Sequence, residues 1–150
     1  MQGTDVKYVF DTDTCRRYVF PTHINDLVLD RKDSVVSEVF VVIVEPGKAV
    51  HPHRHDDVEQ IFYIVDGEGI LTVGDDRKEY EVNPSQVVRI PPHTLHTIRP
   101  AGRKPVKYLS IDCFCSADKG GEPTWEDHVK GICREQGYRF EDVVSSGGKK

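Results

Sequence analysis

The 150-residue chain has no apolar run approaching the roughly 20 residues that a membrane-crossing helix needs. Its opening residues, MQGTDVKYVF, contain no basic segment followed by an apolar stretch. They do not read as a secretory signal, and a cytoplasmic location is the expectation. Positive charge is in the minority, with 20 Lys and Arg against 25 Asp and Glu. The basic residues form no stripe interleaved with aromatics, and the formal net charge of −5 argues against a nucleic-acid partner. Cysteine is scarce, and Cys15, Cys113, Cys115 and Cys133 include no C-x-x-C pair. Reduced, mostly buried thiols are expected in preference to a thiolate metal site. Internal repeats are absent. Low complexity is confined to Ser145–Lys150, which reads as a disordered tail.

What remains is a chain with the size and composition of one soluble domain. Hydrophobic residues make up 37% and charged residues 30%. Short segments rich in Val, Ile, Tyr and Phe succeed one another as far as Phe114. Strands are expected at Val6–Phe10, Arg16–Phe20, Val35–Val44, Gln60–Val65, Gly69–Val73, Lys78–Val82, Gln86–Ile90, Thr94–Arg99 and Val106–Phe114. Turn residues punctuate them, among them Glu45-Pro46-Gly47, Asp66-Gly67 and Asn83-Pro84-Ser85. Many short strands at this spacing indicate an all-β sandwich or barrel. One helix is expected from Thr124 to Gln136, opened by a capping box of Thr124 and Asp127 and closed by Gly137. Trp125, Val129, Ile132 and Cys133 form its apolar stripe, with His128 beside it as a packing residue. The expected organisation is an N-terminal arm (residues 1–34), a barrel core (35–114), a C-terminal helix and strand packed on it (115–144), and a tail (145–150). The arm's apolar stretches are available for pairing with a second copy, so a homodimer is expected.

Five of the seven histidines fall between Val50 and His96, three of them in the run His51-Pro52-His53-Arg54-His55. In extended chain, residues two apart face the same way, so His53 and His55 can hold one ion together. A third donor would come from Gln60 or Glu59 and a fourth, His96, from a neighbouring strand. Imidazole suits Zn, Fe, Ni and Cu, and with oxygen donors Mn.

These residues resemble the two motifs of the cupins. Gly47, His53, His55 and Gly67 match the first motif; Pro91 and His96 match the second. Ser85, His93 and Pro100 depart from the second at its two glycines and its asparagine. The resemblance implies a double-stranded β-helix, or jelly-roll barrel, with one divalent ion. It implies ligands His53, His55, Gln60 and His96, with Glu59 as the alternative third member. Counting back from Gly67 favours Gln60; counting forward from His55 allows Glu59, and strand alternation alone does not separate them. Three histidines and a glutamine resemble the set in cupins that open the ring of unsaturated uronates. A glutamate would move the resemblance towards oxygen-activating and decarboxylating members.

Tyr63, His51 and His93 are candidate catalytic groups, His51 being a loop residue near the mouth and His93 a turn residue. Arg89 and Tyr108 are candidates for holding a substrate carboxylate, as is Arg99. His23 has no partner nearby in sequence and reads as structural. The expected activity is Lewis-acid and proton-transfer chemistry on a small oxygen-rich substrate, such as a sugar acid or keto acid. An Fe(II) dioxygenase and a non-catalytic binding or structural cupin are the alternatives.

Overall fold

The computed structural model describes residues 5–148. Nine strands form two antiparallel sheets: β1 (Arg16–Val19), β2 (Ile24–Leu29), β3 (Ser37–Val44), β4 (Val58–Asp66), β5 (Gly69–Val73), β6 (Lys78–Val82), β7 (Val87–Ile90), β8 (His96–Pro100) and β9 (Val106–Phe114). Six of them lie in the order β1-β2-β3-β9-β4-β7, and the other three in the order β6-β5-β8. Alternation builds the space between the sheets. On β9 every second residue from Val106 through Tyr108, Ser110 and Asp112 to Phe114 is buried, and β4 does the same with Val58, Gln60, Phe62 and Ile64.

The turn after β4 shows why the register holds. Gly67 has φ +75, and a Cβ placed there would come within 2.0 Å of the Pro105 carbonyl oxygen. Only glycine fits both the backbone angle and the contact. The turn therefore fixes which face of β4 looks inward, because a slip of one residue would invert it.

Beyond the barrel, α1 (Trp125–Gln136) is capped as the sequence indicates. Thr124 and Asp127 form a reciprocal capping box, and Gly137 closes the helix at φ 78. The backbone amide of Trp125 also donates to Asp30 at 3.0 Å, which ties the helix start to the segment before β3.

Four elements differ from expectation. Val6–Phe10 forms no strand; Val6, Tyr8 and Val9 are exposed, and among the described residues β1 pairs with β2 alone. β2 was not expected, because its buried positions Asn25 and Asp26 are polar and mask the alternation. The strand expected within residues 115–144 is instead a second helix, α2 (Phe140–Gly147). Phe140, Val143 and Val144 recur at helical spacing and pack on the core, with α2 against β1. The tail expected from Ser145 begins inside that helix, and Lys149 and Lys150 lie outside the described residues.

Candidate metal centre

The run from Val50 to His55 leaves the first sheet and is stitched to β8. His53 and His96 exchange backbone hydrogen bonds in both directions at 3.0 and 3.1 Å, and the His93 amide donates to the His55 carbonyl at 2.6 Å. This bridge gathers the imidazoles, with ring centroids 4.4 Å apart for His53 and His96 and 4.8 Å apart for His53 and His55. The ligand atoms of His53, His55 and His96 all lie within 4.8 Å of one another.

Hydrogen bonds then select the tautomers. The Nδ1 of His53 lies 2.7 Å from the His51 carbonyl oxygen, and that of His96 lies 2.8 Å from the Thr94 carbonyl oxygen. A carbonyl only accepts, so both Nδ1 atoms carry protons and both Nε2 atoms keep free lone pairs. Burial keeps the rings neutral, pushing His55 down to about 3 and His96 to about 4, with the nearby His53 adding to both shifts. His53 is lowered as well, chiefly by burial. Neutral imidazoles with free Nε2 atoms are what a divalent ion requires.

Gln60 lies beside the three histidines. It is buried on the inner face of β4, its amide nitrogen donates to Asp112 Oδ1 at 2.8 Å, and its oxygen lies 2.9 Å from His96 Nε2. Two lone pairs facing each other at that distance repel, and a cation held between the groups removes the conflict. His55 Nε2 is likewise buried without a hydrogen-bond partner among the described residues. The residues present therefore fit a divalent ion, with His53, His55, His96 and Gln60 as its holders. Glu59, the alternative ligand, faces outward and pairs with Arg89 at 2.5 Å.

Behind Gln60 lies a buried row of carboxyls. Glu38, Asp112 and Gln60 are neighbours across β3, β9 and β4. Arg31, itself buried, holds Glu38 through two contacts at 2.7 and 3.1 Å. Burial pushes Glu38 up to about 8, the adjacent Asp112 adding to the rise and Arg31 opposing it. Asp112 is raised too, mainly by burial. Both carboxyls therefore hold a proton more tightly than exposed ones do.

The cluster opens on a cavity of about 530 Å³ between the sheets and α1. Residues 40–112 match the family described as "Cupin domain". A relative from Methanocaldococcus jannaschii, the uncharacterized protein MJ1618, is 37% identical over 67 residues, which is 45% of this chain. The chain spans about half the length of that relative, 52%. Among solved structures, KdgF from Halomonas sp. is similar with a TM-score of 0.55 and 19% identity, covering 63% of this chain and 82% of that one. A predicted oxalate decarboxylase from Thermotoga maritima is similar with a TM-score of 0.64 and 16% identity, covering 71% and 99%.

The fold is that of the cupins.

The two antiparallel sheets are therefore the double-stranded β-helix of this family, and the remaining candidates can be placed around its cavity. Tyr108 faces inward, packing on Phe62 at 4.6 Å, and lines the cavity. His51 is exposed and also lines it. Tyr63 and Arg89 point away from it, because they sit on the outer faces of β4 and β7. Arg99 is likewise outside, paired with Glu79. His93, at φ 64, is exposed and pairs with Asp56 at 3.1 Å. His128 packs on Trp125 and pairs with Glu122 at 2.8 Å, and its side chain also lines the cavity. Among the described residues, no cysteine joins a metal-binding cluster.

Asp112 and Glu38 were missed from sequence, as was the position of His23. The signal for Asp112 lies in β9, where Ser110 and Asp112 interrupt an otherwise apolar inward face. His23 stacks on Phe20 at 5.0 Å, bonds Thr22 Oγ1 at 2.8 Å and lines the cavity. Burial lowers it to about 3 from the ordinary 6.5. Because the folded value lies below the unfolded one, this group's stability is present above pH 6.5 and lost as pH falls towards 3. His23→Phe should therefore flatten the acid limb of the metal-free protein's urea stability curve in that window. An unchanged limb would mean that His23 titrates normally.

Proposed function

We propose that this cupin is a metal-dependent enzyme acting by Lewis-acid and proton-transfer chemistry on a small oxygen-rich substrate, a sugar acid or keto acid. The observation that carries the reading is the neutral donor set of three imidazoles and one amide, with the buried carboxyl of Asp112 hydrogen-bonded to that amide. When bound, a divalent ion such as Zn, Ni, Fe or Mn supplies Lewis-acid polarisation of substrate oxygens. Because its four holders are uncharged, the site keeps the ion's full charge and favours an anionic or chelating oxygen ligand.

Asp112 does two things in this arrangement. Its Oδ1 receives the Gln60 N–H, so the amide oxygen faces the histidines. Burial raises its pKa, and its place beside the cavity makes it the group we assign to hold or accept a proton, with Glu38 and Arg31 as its neighbours in the buried row. The apolar wall of Phe62, Ile98 and Val42 limits water around that proton.

Deuterium exchange into a panel of sugar acids and keto acids, followed by NMR on the zinc-loaded protein, tests this reading. Asp112→Asn should keep zinc and lose exchange by about 100-fold or more. Exchange that survives the substitution, or turnover that depends on O2, would instead support the dioxygenase reading. A parallel pair of substitutions checks the fourth ligand. Gln60→Ala should weaken zinc binding by roughly 10- to 100-fold, while Glu59→Gln should leave it within about twofold. The reverse pattern would make Glu59 the ligand.

A further inference from the structure

Four buried side-chain polar atoms have no hydrogen-bond partner among the described residues: Asn25 Oδ1, His55 Nε2, Ser110 Oγ and Trp125 Nε1. The metal centre accounts for His55. The other three belong to side chains that line the same cavity, and a buried polar atom left unpaired is costly. They are grouped. Trp125 lies 4.9 Å from the Phe40 ring, Ser110 is the cross-strand partner of Phe40, and Asn25 pairs with Val42, the next inward residue on β3. Ser110 is also one inward position along β9 from Asp112, about 7 Å at strand spacing.

We propose that Asn25, Ser110 and Trp125 form a second binding subsite for a hydroxyl-bearing arm of the molecule whose other end is held at the histidine cluster. The donor and acceptor types select this chemistry. The Trp125 N–H can only donate, the Asn25 oxygen can only accept, and the Ser110 hydroxyl does both. A hydroxyl group satisfies all three kinds of partner, a carboxylate cannot donate to Asn25, and an alkyl chain satisfies none. The orphan atoms are themselves buried while their residues line the cavity, so engagement includes a side-chain adjustment of the wall around Phe40. Asn25 and Trp125 lie outside the residues matched to the cupin family, so the subsite is built by the flanking segments.

The proposal rests on the metal-site reading for the other end of the ligand, and the test separates the two. Calorimetry on the zinc-loaded protein would compare D-gluconate with hexanoate, which keeps the carboxylate and lacks the hydroxyls. Gluconate should bind at least about tenfold more tightly. Trp125→Phe and Ser110→Ala should each weaken gluconate by roughly three- to tenfold, at unchanged zinc content and unchanged hexanoate affinity. Equal binding of the two acids overturns the subsite, as does unaltered gluconate affinity in both variants. So does a crystal structure of the gluconate complex in which ordered water alone meets the three atoms. Failure of the wild-type protein to take up zinc would overturn the metal reading and the subsite together.

Discussion

Replacing His53, His55 or His96 with Ala should lower zinc affinity by at least about 100-fold, measured by competition with a chromophoric chelator. The expectation follows from the free Nε2 atoms and from the loss of one of only three imidazoles. Outer partners of a metal ligand are typically worth 10- to 100-fold, so loss of a ligand itself should exceed that range. His93→Ala should leave affinity within about twofold, since that ring is exposed and faces Asp56. Affinity that survives all three substitutions would place any bound metal elsewhere.

Arg31→Leu should destabilise the fold by about 3–5 kcal/mol in urea unfolding, the cost of leaving a buried carboxyl without its partner. A typical domain has only about 5–15 kcal/mol to lose. Arg31 and Glu38 are both almost fully buried, and the guanidinium also caps the Glu122 carbonyl at 3.3 Å and lies 4.8 Å over the Phe114 ring. Arg31→Leu combined with Glu38→Leu should be less damaging than Arg31→Leu alone, because the carboxyl that Arg31 holds is removed with it. A double variant worse than the single one would show that packing, not charge, sets the cost. The pH dependence follows from the same pair. Glu38 has a folded pKa of about 8 against an ordinary 4.5, so its contribution is complete below pH 4.5. That contribution is lost as pH rises through 8.

The barrel was legible because β3 through β9 carry β-branched residues between strong turn signals. Gly67 is the clearest case, since one turn residue determines that Gln60 faces inward and Glu59 outward. The flanks were less legible because tertiary contacts override local pattern there. The pair Val143-Val144 suggests a strand, yet its helical partner Phe140 and the surface of β1 select a helix. Tyr63 and Arg89 have suitable chemistry, but their side chains occupy the wrong phase of the alternation. The polar half of the site was hidden for a different reason. Arg31 and Glu38 lie seven residues apart, but Asp112 is far from both in sequence, and only the register of β3 against β9 brings the two carboxyls together.

That register also orders events in time. β9 is the last strand of the barrel in the chain, and it inserts between β3 and β4. Before it docks, Gln60 has no Asp112 to turn its amide, and Glu38 has no neighbour in the row. Pairings so distant in sequence close late and slowly during folding. An ion captured by the finished site would therefore act after the rate-limiting step. It should lengthen the lifetime of the native barrel by slowing unfolding and leave the refolding rate nearly unchanged.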